Sequence, residues 1–416
     1  MKRRQLLSSS FSWAAASVLA ARFPSHLLSQ SRERSRSAAM QPFRVNFGRD
    51  VVGALHRRLD AVRWPEMPFD TGWSQGTSDR VLRELVHYWR HKYDWFSVQE
   101  KLNQLTHLRG PIGGEQLHCV TYRGTGQRKP FPLLVMSGWP GSFLEFIYAA
   151  PLLAEQGFDL VVPSLPGFVF SEPARVPGMN TRRMAERMHL LMRELGHERY
   201  GIHGSDWGAL IGTSQAAQYP EAVIGLHLTL ASAAPGARAT TPAATAAPAN
   251  RRTDQRSRDN GWQGGNALQS ASPQTLGYAL EDSPVGFLAW ILMRYWSQSD
   301  HGPDADLWDT FTRDDVLTTA MLYWLPGHVL SSLRLYWETF TNVPNPPPPF
   351  QRVTVPTAYA RFQGSVPLGA TREQVEPGYN LVRYTEPLRG GHFAALEQPQ
   401  PFAADVAAFF ATLNDR

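Results

Sequence analysis

The chain has 416 residues, 43% hydrophobic and 19% charged, which suffices for a sizeable core and is ordinary for a globular protein. Its single cysteine, Cys119, excludes an intramolecular disulfide and any cysteine-based zinc cluster. The formal charge of +5 sits in the first 40 residues, which carry seven basic side chains and one acid; the remainder has 34 basic and 35 acidic residues. A surface that neutralises phosphates needs a basic excess in the folded body, so nucleic acid is not an expected partner.

The chain opens with Lys2-Arg3-Arg4-Gln5-Leu6-Leu7 and a moderately apolar run from Phe11 to Ala21 that ends in small residues. An arginine pair ahead of such a run is the layout of a twin-arginine export signal, which predicts a periplasmic or secreted protein. The run is too short and serine-rich to span a bilayer, and nothing later is long and apolar enough to do so. Residues 1–41 are thus read as a signal and flexible leader.

From Phe43 to about Leu105 apolar residues recur at three- and four-residue spacing, as in Val51, Val52, Leu55 and Leu59 and again in Val81, Leu82, Leu85, Val86 and Trp89. This predicts a helical domain over 42–105. Strand signals follow at His118–Tyr122, Leu133–Met136, Leu160–Pro163, Tyr200–His203 and Gly225–Leu230. Helical stretches lie at Phe143–Gln156, Thr181–Leu195 and Ala209–Gln218. Such alternation predicts an α/β fold with a mostly parallel sheet covered on both faces, its first part over 106–232.

The alternation then breaks. Residues 232–249 are Ala-, Pro- and Thr-rich and 250–265 are polar, so both read as loop. Helical patterns resume at Pro284–Tyr295, Asp315–Leu325 and Val329–Phe340 and end in the proline run of Asn342–Phe350. A strand signal at Val355–Phe362 and a helix at Ala404–Leu413 complete the sheet domain over 351–416. Residues 233–350 are therefore an insertion between strands, placed to cap a site.

Gly204-Ser205-Asp206-Trp207-Gly208 follows one strand signal and precedes a helix. A nucleophile elbow needs small residues two positions either side of its central side chain, and here that side chain is a carboxylate. Already ionised, Asp206 can attack an activated carbon without a base. The same pattern would suit a helix cap with flanking turn glycines. Ser137-Gly138-Trp139-Pro140-Gly141-Ser142 is placed to give backbone N–H groups to an oxyanion, with Trp139 and Trp207 as the donors. Gly390-Gly391-His392-Phe393 lies after the last strands, where this fold carries its general base.

These segments, with Pro163-Ser164-Leu165-Pro166-Gly167-Phe168, Asp282-Ser283-Pro284-Val285-Gly286 and Arg389–Ala395, resemble the signature stretches of the microsomal-type epoxide hydrolases. Arg63-Trp64-Pro65 and Tyr88-Trp89-Arg90 are similar to that family's N-terminal helical domain. The resemblance implies an α/β-hydrolase fold with a helical cap inserted after the sixth strand. It also implies hydrolysis of small apolar epoxides by water through an ester on Asp206. Tyr336 would be the proton donor from the cap, His392 the base, and Trp139 and Trp207 the oxyanion hole. It implies no metal and no organic cofactor, and it leaves a homodimer open.

Three positions depart from the family pattern; the one of least consequence is Ser137, where the family has a histidine before Gly-Trp-Pro. Where the resemblance places an acid to orient the histidine, Phe362-Gln363-Gly364-Ser365 offers Ser365, and the nearest downstream carboxylate, Glu373, reads as a surface helix residue. The second cap tyrosine falls at Gly265, with Tyr278 a substitute only if the cap helix is shifted. Loss of an orienting acid costs on the order of 10⁴ in rate in serine hydrolases. A catalytically impaired relative that acts by binding, and a haloalkane dehalogenase-like hydrolase, therefore stand as alternatives.

Overall fold

The computed structural model describes residues 40–125, 130–232, 263–301, 306–342, 351–365 and 368–414. Residues 1–39 of the expected leader, most of the 232–265 stretch and the proline run after Asn342 lie outside them, while Gln41, expected in the leader, begins β1. In chain order the elements are β1 (Gln41–Pro42), α1 (Arg49–Asp60), α2 (Asp79–His91), α3 (Trp95–Leu102), β2 (Thr106–Ile112), β3 (Glu115–Tyr122) and β4 (Phe131–Met136). Then come α4 (Ala149–Glu155), β5 (Phe158–Ser164), α5 (Thr181–Glu194), β6 (Tyr200–Gly204), α6 (Asp206–Gln218) and β7 (Val223–Leu228). Residues 263–271 form α7, followed by α8 (Pro273–Asp282), α9 (Pro284–Gln298), α10 (Arg313–Trp324) and α11 (Val329–Phe340). The chain closes with β8 (Val353–Ala360), α12 (Arg372–Val375), β9 (Tyr379–Thr385), α13 (Ala394–Glu397) and α14 (Pro399–Asn414).

Nine strands form one sheet among the described residues, in the order β1-β2-β3-β5-β4-β6-β7-β8-β9. The pairs from β1 to β5 through β2 and β3 are antiparallel, and those from β5 to β9 are parallel. Chain order reverses at β4, which has β5 on one side and β6 on the other. Ligand sites in such sheets form beyond the carboxyl ends of the strands at that reversal. Met136 and Gly204, the last residues of β4 and β6, are register partners, so the loops they feed leave the sheet side by side.

Both faces of the sheet are covered. Gly201 lies against Phe410 of α14, while its neighbour Ile202 faces Gly212 of α6, so the two helices occupy opposite sides. The cap enters after β7, which is the sixth strand when the two-residue β1 is set aside. The N-terminal helices pack on the cap helix α9. Trp73 stacks on Trp296 at 4.9 Å, Thr77 Oγ1 donates to the Ala289 carbonyl at 2.6 Å, and buried Tyr93 and Thr318 share a 2.9 Å hydrogen bond. Among the described residues no helix is long and apolar enough to cross a membrane.

Several sequence expectations are corrected. The helix expected over Phe143–Gln156 is a 3₁₀ turn, Phe143–Phe146, followed by the separate α4. Three residues read as loop, 263–265, belong to α7. Several elements were not expected, among them β2, which contains Gly110-Pro111, α8, which opens on Pro273, and β9, an edge strand that mixes Asn380, Arg383 and Thr385 with apolar residues.

The elbow packs without slack. A Cβ on Gly208 would sit 2.6 Å from the Met136 carbonyl carbon, and one on Gly204 would sit 2.8 Å from Ala209 Cα. Both obstructions are backbone, which cannot swing aside. Gly208→Ala is expected to destabilise the fold by about 3 kcal/mol, the upper part of the range for overpacking. Thermal denaturation checks this, and an unchanged midpoint would contradict so tight a fit.

Candidate active site

Asp206 begins α6 with φ +46°, a left-handed conformation uncommon outside glycine but adopted by aspartate and asparagine more readily than by most residues. Ser205 occupies the N-cap position, so Asp206 does not serve as a cap for its own helix. The turn instead holds its carboxylate above the sheet. Oδ1 accepts the Trp139 backbone N–H at 2.8 Å, and Oδ2 lies 3.2 Å from His392 Nε2. The Trp207 backbone N–H also acts on this carboxylate. The β4 and β6 loops thus converge on one carboxyl group, with Trp139 and Trp207 side by side as donors.

Burial alone would push the Asp206 carboxyl up. The hydrogen bond and charge of His392, with the N–H groups of Trp139 and Trp207, outweigh it and hold the carboxyl below its ordinary range. The same pairing acts on the base. Burial favours a neutral imidazole at His392, but the hydrogen bond and charge of Asp206, followed by the charges of Glu145 and Glu397, raise its pKa. The pairing therefore favours the ionised carboxylate and the protonated imidazole together, with both side chains largely buried.

Tyr336 reaches the site from α11. Its ring meets Trp207 edge-on at 4.7 Å and Trp139 at 6.3 Å, and it is 4% exposed. One helical turn earlier, Ser332 Oγ accepts the Trp139 indole N–H at 3.0 Å, so one face of α11 spans the oxyanion loop. Burial pushes the Tyr336 phenol well above its ordinary range and the Asp206 charge adds to this. Arg294 and the side chains of Trp207 and Gln269 pull the other way. Tyr336 is protonated at neutral pH and can donate.

The acid expected to orient His392 is absent where the pattern puts it. Ser365 sits in the turn after β8, its N–H bonded to the Phe362 carbonyl at 3.2 Å, and Glu373 is exposed on α12 with contacts to Thr371. Tyr278 is 72% exposed and plays no part. Gly265 lies in α7 beside the Arg294 guanidinium.

Three carboxylates that sequence reasoning passed over surround the histidine loop instead. Glu397 accepts the backbone N–H groups of Asp300, Gly391 and Phe393 at 2.8, 2.9 and 2.9 Å, fastening both neighbours of His392. Glu145, 6% exposed, accepts the Ser205 hydroxyl at 3.0 Å. Burial raises both of these carboxyls to about 7. Asp300 lies against Gly364, takes the Gly390 N–H at 2.9 Å and pairs with Arg389 at 3.2 Å, while the Gln298 carbonyl takes the His392 N–H at 2.9 Å. The end of α9 thus fills the place beside the β8 turn and ties the cap to the base. Glu145 lies six residues past Trp139 and Glu397 five past His392, both in mainly apolar surroundings, which was the available signal.

A strained elbow at the sheet reversal, an oxyanion loop beside it and a histidine after the last strand define a hydrolase of the α/β type. Comparison with known proteins agrees: residues 132–322 match the family model for the alpha/beta hydrolase fold, and residues 40–146 match that for the epoxide hydrolase N terminus. The chain is 31% identical to epoxide hydrolase 1 of Sus scrofa over 412 residues, covering 91% of this chain and 90% of that protein. It is likewise 31% identical to juvenile hormone epoxide hydrolase of Bombyx mori over 410 residues, covering 90% and 87%. The crystal structure of the silkworm enzyme superposes with a TM-score of 0.79 at 28% identity, over 91% of this chain and 95% of that one. The chain belongs to the microsomal-type epoxide hydrolase family.

The ion pair makes the two partners depend on each other. Asp206→Asn removes the charge that supports the imidazolium, leaving burial opposed only by Glu145 and Glu397. The His392 pKa is therefore expected to fall relative to the native protein, as followed by NMR titration of its ring. An unchanged value would show that the two groups are not coupled.

Proposed function

We propose that the protein hydrolyses small apolar epoxides to vicinal diols in two steps, with Asp206 as the nucleophile. The observation that carries this reading is the placement of one carboxylate between the Trp139 N–H and the His392 ring. The rings of Trp139, Trp207 and Tyr336 pack together beside it and favour an apolar substrate.

In the first step an Asp206 oxygen attacks a ring carbon. The carbon–oxygen bond of the strained ring breaks, and its electron pair goes to the ring oxygen, which takes the Tyr336 proton instead of leaving as an alkoxide. The products are an alkyl ester on Asp206 and a tyrosinate. Esterification also removes the charge that held the imidazolium, so His392 gives its proton to the tyrosinate, restoring the phenol, and becomes a base when one is needed. In the second step His392 Nε2 takes a proton from water and the hydroxide adds to the ester carbonyl. The N–H groups of Trp139 and Trp207 hold the oxyanion. Collapse releases the diol, its leaving oxygen taking the proton of the added hydroxyl, and the regenerated Asp206 carboxylate pairs again with the protonated His392.

Glu145 and Glu397, both pushed up to about 7 by burial and so only partly charged at neutral pH, take over part of the absent relay acid's work. Glu397 fixes the backbone on both sides of His392, and both carboxylates favour the imidazolium that forms in the second step. We further infer export through the twin-arginine route, on the Arg3-Arg4 pair ahead of the Phe11–Ala21 run. Retention of the full chain in the cytoplasm of an export-competent host would count against that.

Intact-protein mass spectrometry after incubation with styrene oxide tests the mechanism. The native protein is expected to release diol. His392→Gln is expected to accumulate one adduct per chain, located on Asp206, and Asp206→Asn to form none. Absence of both diol and adduct would refute the reading, and an adduct elsewhere would refute the assignment of Asp206.

A further inference from the structure

The cap carries a buried polar arrangement that the two-step hydrolysis does not use. Arg294 of α9 is 3% exposed, with its guanidinium 5.9 Å from the centre of the Trp139 ring. Its Nη2 donates to Gln269 Oε1 in a short hydrogen bond. Gln269 and Gly265 stand four residues apart on α7 and share a face of that helix. A Cβ on Gly265 would come within 2.8 Å of the Arg294 Cζ, so the bare glycine is what lets the guanidinium lie there.

An arginine can only donate, so the amide atom that meets it must be the oxygen. This fixes the amide orientation and leaves Nε2 facing the other way. Gln269 is fully buried, and Nε2 has no hydrogen-bond partner among the described residues. The Gln269 side chain approaches the Tyr336 phenol outside ordinary hydrogen-bond geometry but closely enough to lower its pKa as a donor, and the phenol in turn feels the Asp206 charge. A buried N–H without a partner is costly, a cost explained when a ligand atom meets it.

On the reading that this site opens epoxides, we propose that Gln269 Nε2 donates the second hydrogen bond to the leaving ring oxygen, beside Tyr336. Arg294 is the positioning residue that holds the amide. Tyr336 supplies the proton, because an amide does not release one; Gln269 supplies only a hydrogen bond, which strengthens as charge develops on the oxygen. The donor that the family pattern puts at position 265 has in effect moved one helical turn along α7. The guanidinium occupies the space opened by the glycine.

The assignment predicts a split between the two half-reactions. Single-turnover kinetics with styrene oxide, followed by tryptophan fluorescence, give the rates of ester formation and ester hydrolysis separately. Gln269→Leu removes the donor. Gln269→Glu removes it too, while keeping side-chain volume and an acceptor for Arg294, and so guards against a folding defect. Each is expected to slow ester formation about 10- to 100-fold, the loss of one donor to a developing charge, with ester hydrolysis within about twofold. A purely structural role would lower both rates and the thermal midpoint together. If the native protein forms the Asp206 ester and either folded variant forms it at the native rate, this inference fails while the epoxide reading stands. If the native protein forms no ester, both fail.

Discussion

The whole arrangement depends on a carboxylate kept ionised in a place where water is scarce. Charge of that kind is costly to bury unless it is paired and hydrogen-bonded. Here the compensation comes from two backbone N–H groups and an imidazolium, delivered by three separate loops. Each loop exists to bring one of these groups to Asp206. The elbow itself holds a left-handed aspartate, a strain on the order of 1–3 kcal/mol that the surrounding packing must sustain.

That requirement explains the fold around it. The chain reversal at β4 lets the oxyanion loop and the elbow emerge next to each other, and glycines at 204 and 208 let the backbones approach. The base comes from the far side, after β9 at the sheet edge, and needs more support. It receives it from Glu397 beneath and from the end of α9 above. The cap is therefore more than a cover, since α9 fastens the histidine loop and α11 carries the proton donor. The N-terminal helices pack on α9 in turn, which links them to the geometry of the base.

Much of this was legible in the sequence because the chemistry forces local patterns. An elbow cannot be built without small residues at fixed offsets, so Gly204 and Gly208 announced Asp206. A base in a tight turn after the last strand made His392 readable, and the resemblance supplied Tyr336. The buried strands β4, β5, β6 and β7 showed as apolar runs. What escaped depends on distant packing. Strand β9 is half-covered at the edge, so its residues Asn380, Arg383 and Thr385 conceal the alternation. Strand β2 carries a Gly-Pro step, tolerable near the edge but with the look of a turn. Ile147 and Tyr148 continue the apolar spacing although the helix breaks there. Acids such as Glu145 and Glu397 look like surface residues until the fold buries them. Nothing in α9 or α7 alone says that Arg294 will meet Gln269.

The central claim is that the carboxylate, not water, makes the first bond to the substrate. A single turnover in ¹⁸O-labelled water, with enzyme in excess over styrene oxide, tests it most directly. Attack by Asp206 predicts unlabelled diol in that first turnover and ¹⁸O in the peptide containing residue 206, since hydroxide adds at the ester carbonyl. Labelled diol with an unlabelled Asp206 would mean that water opens the ring directly, and the aspartate would then be no nucleophile.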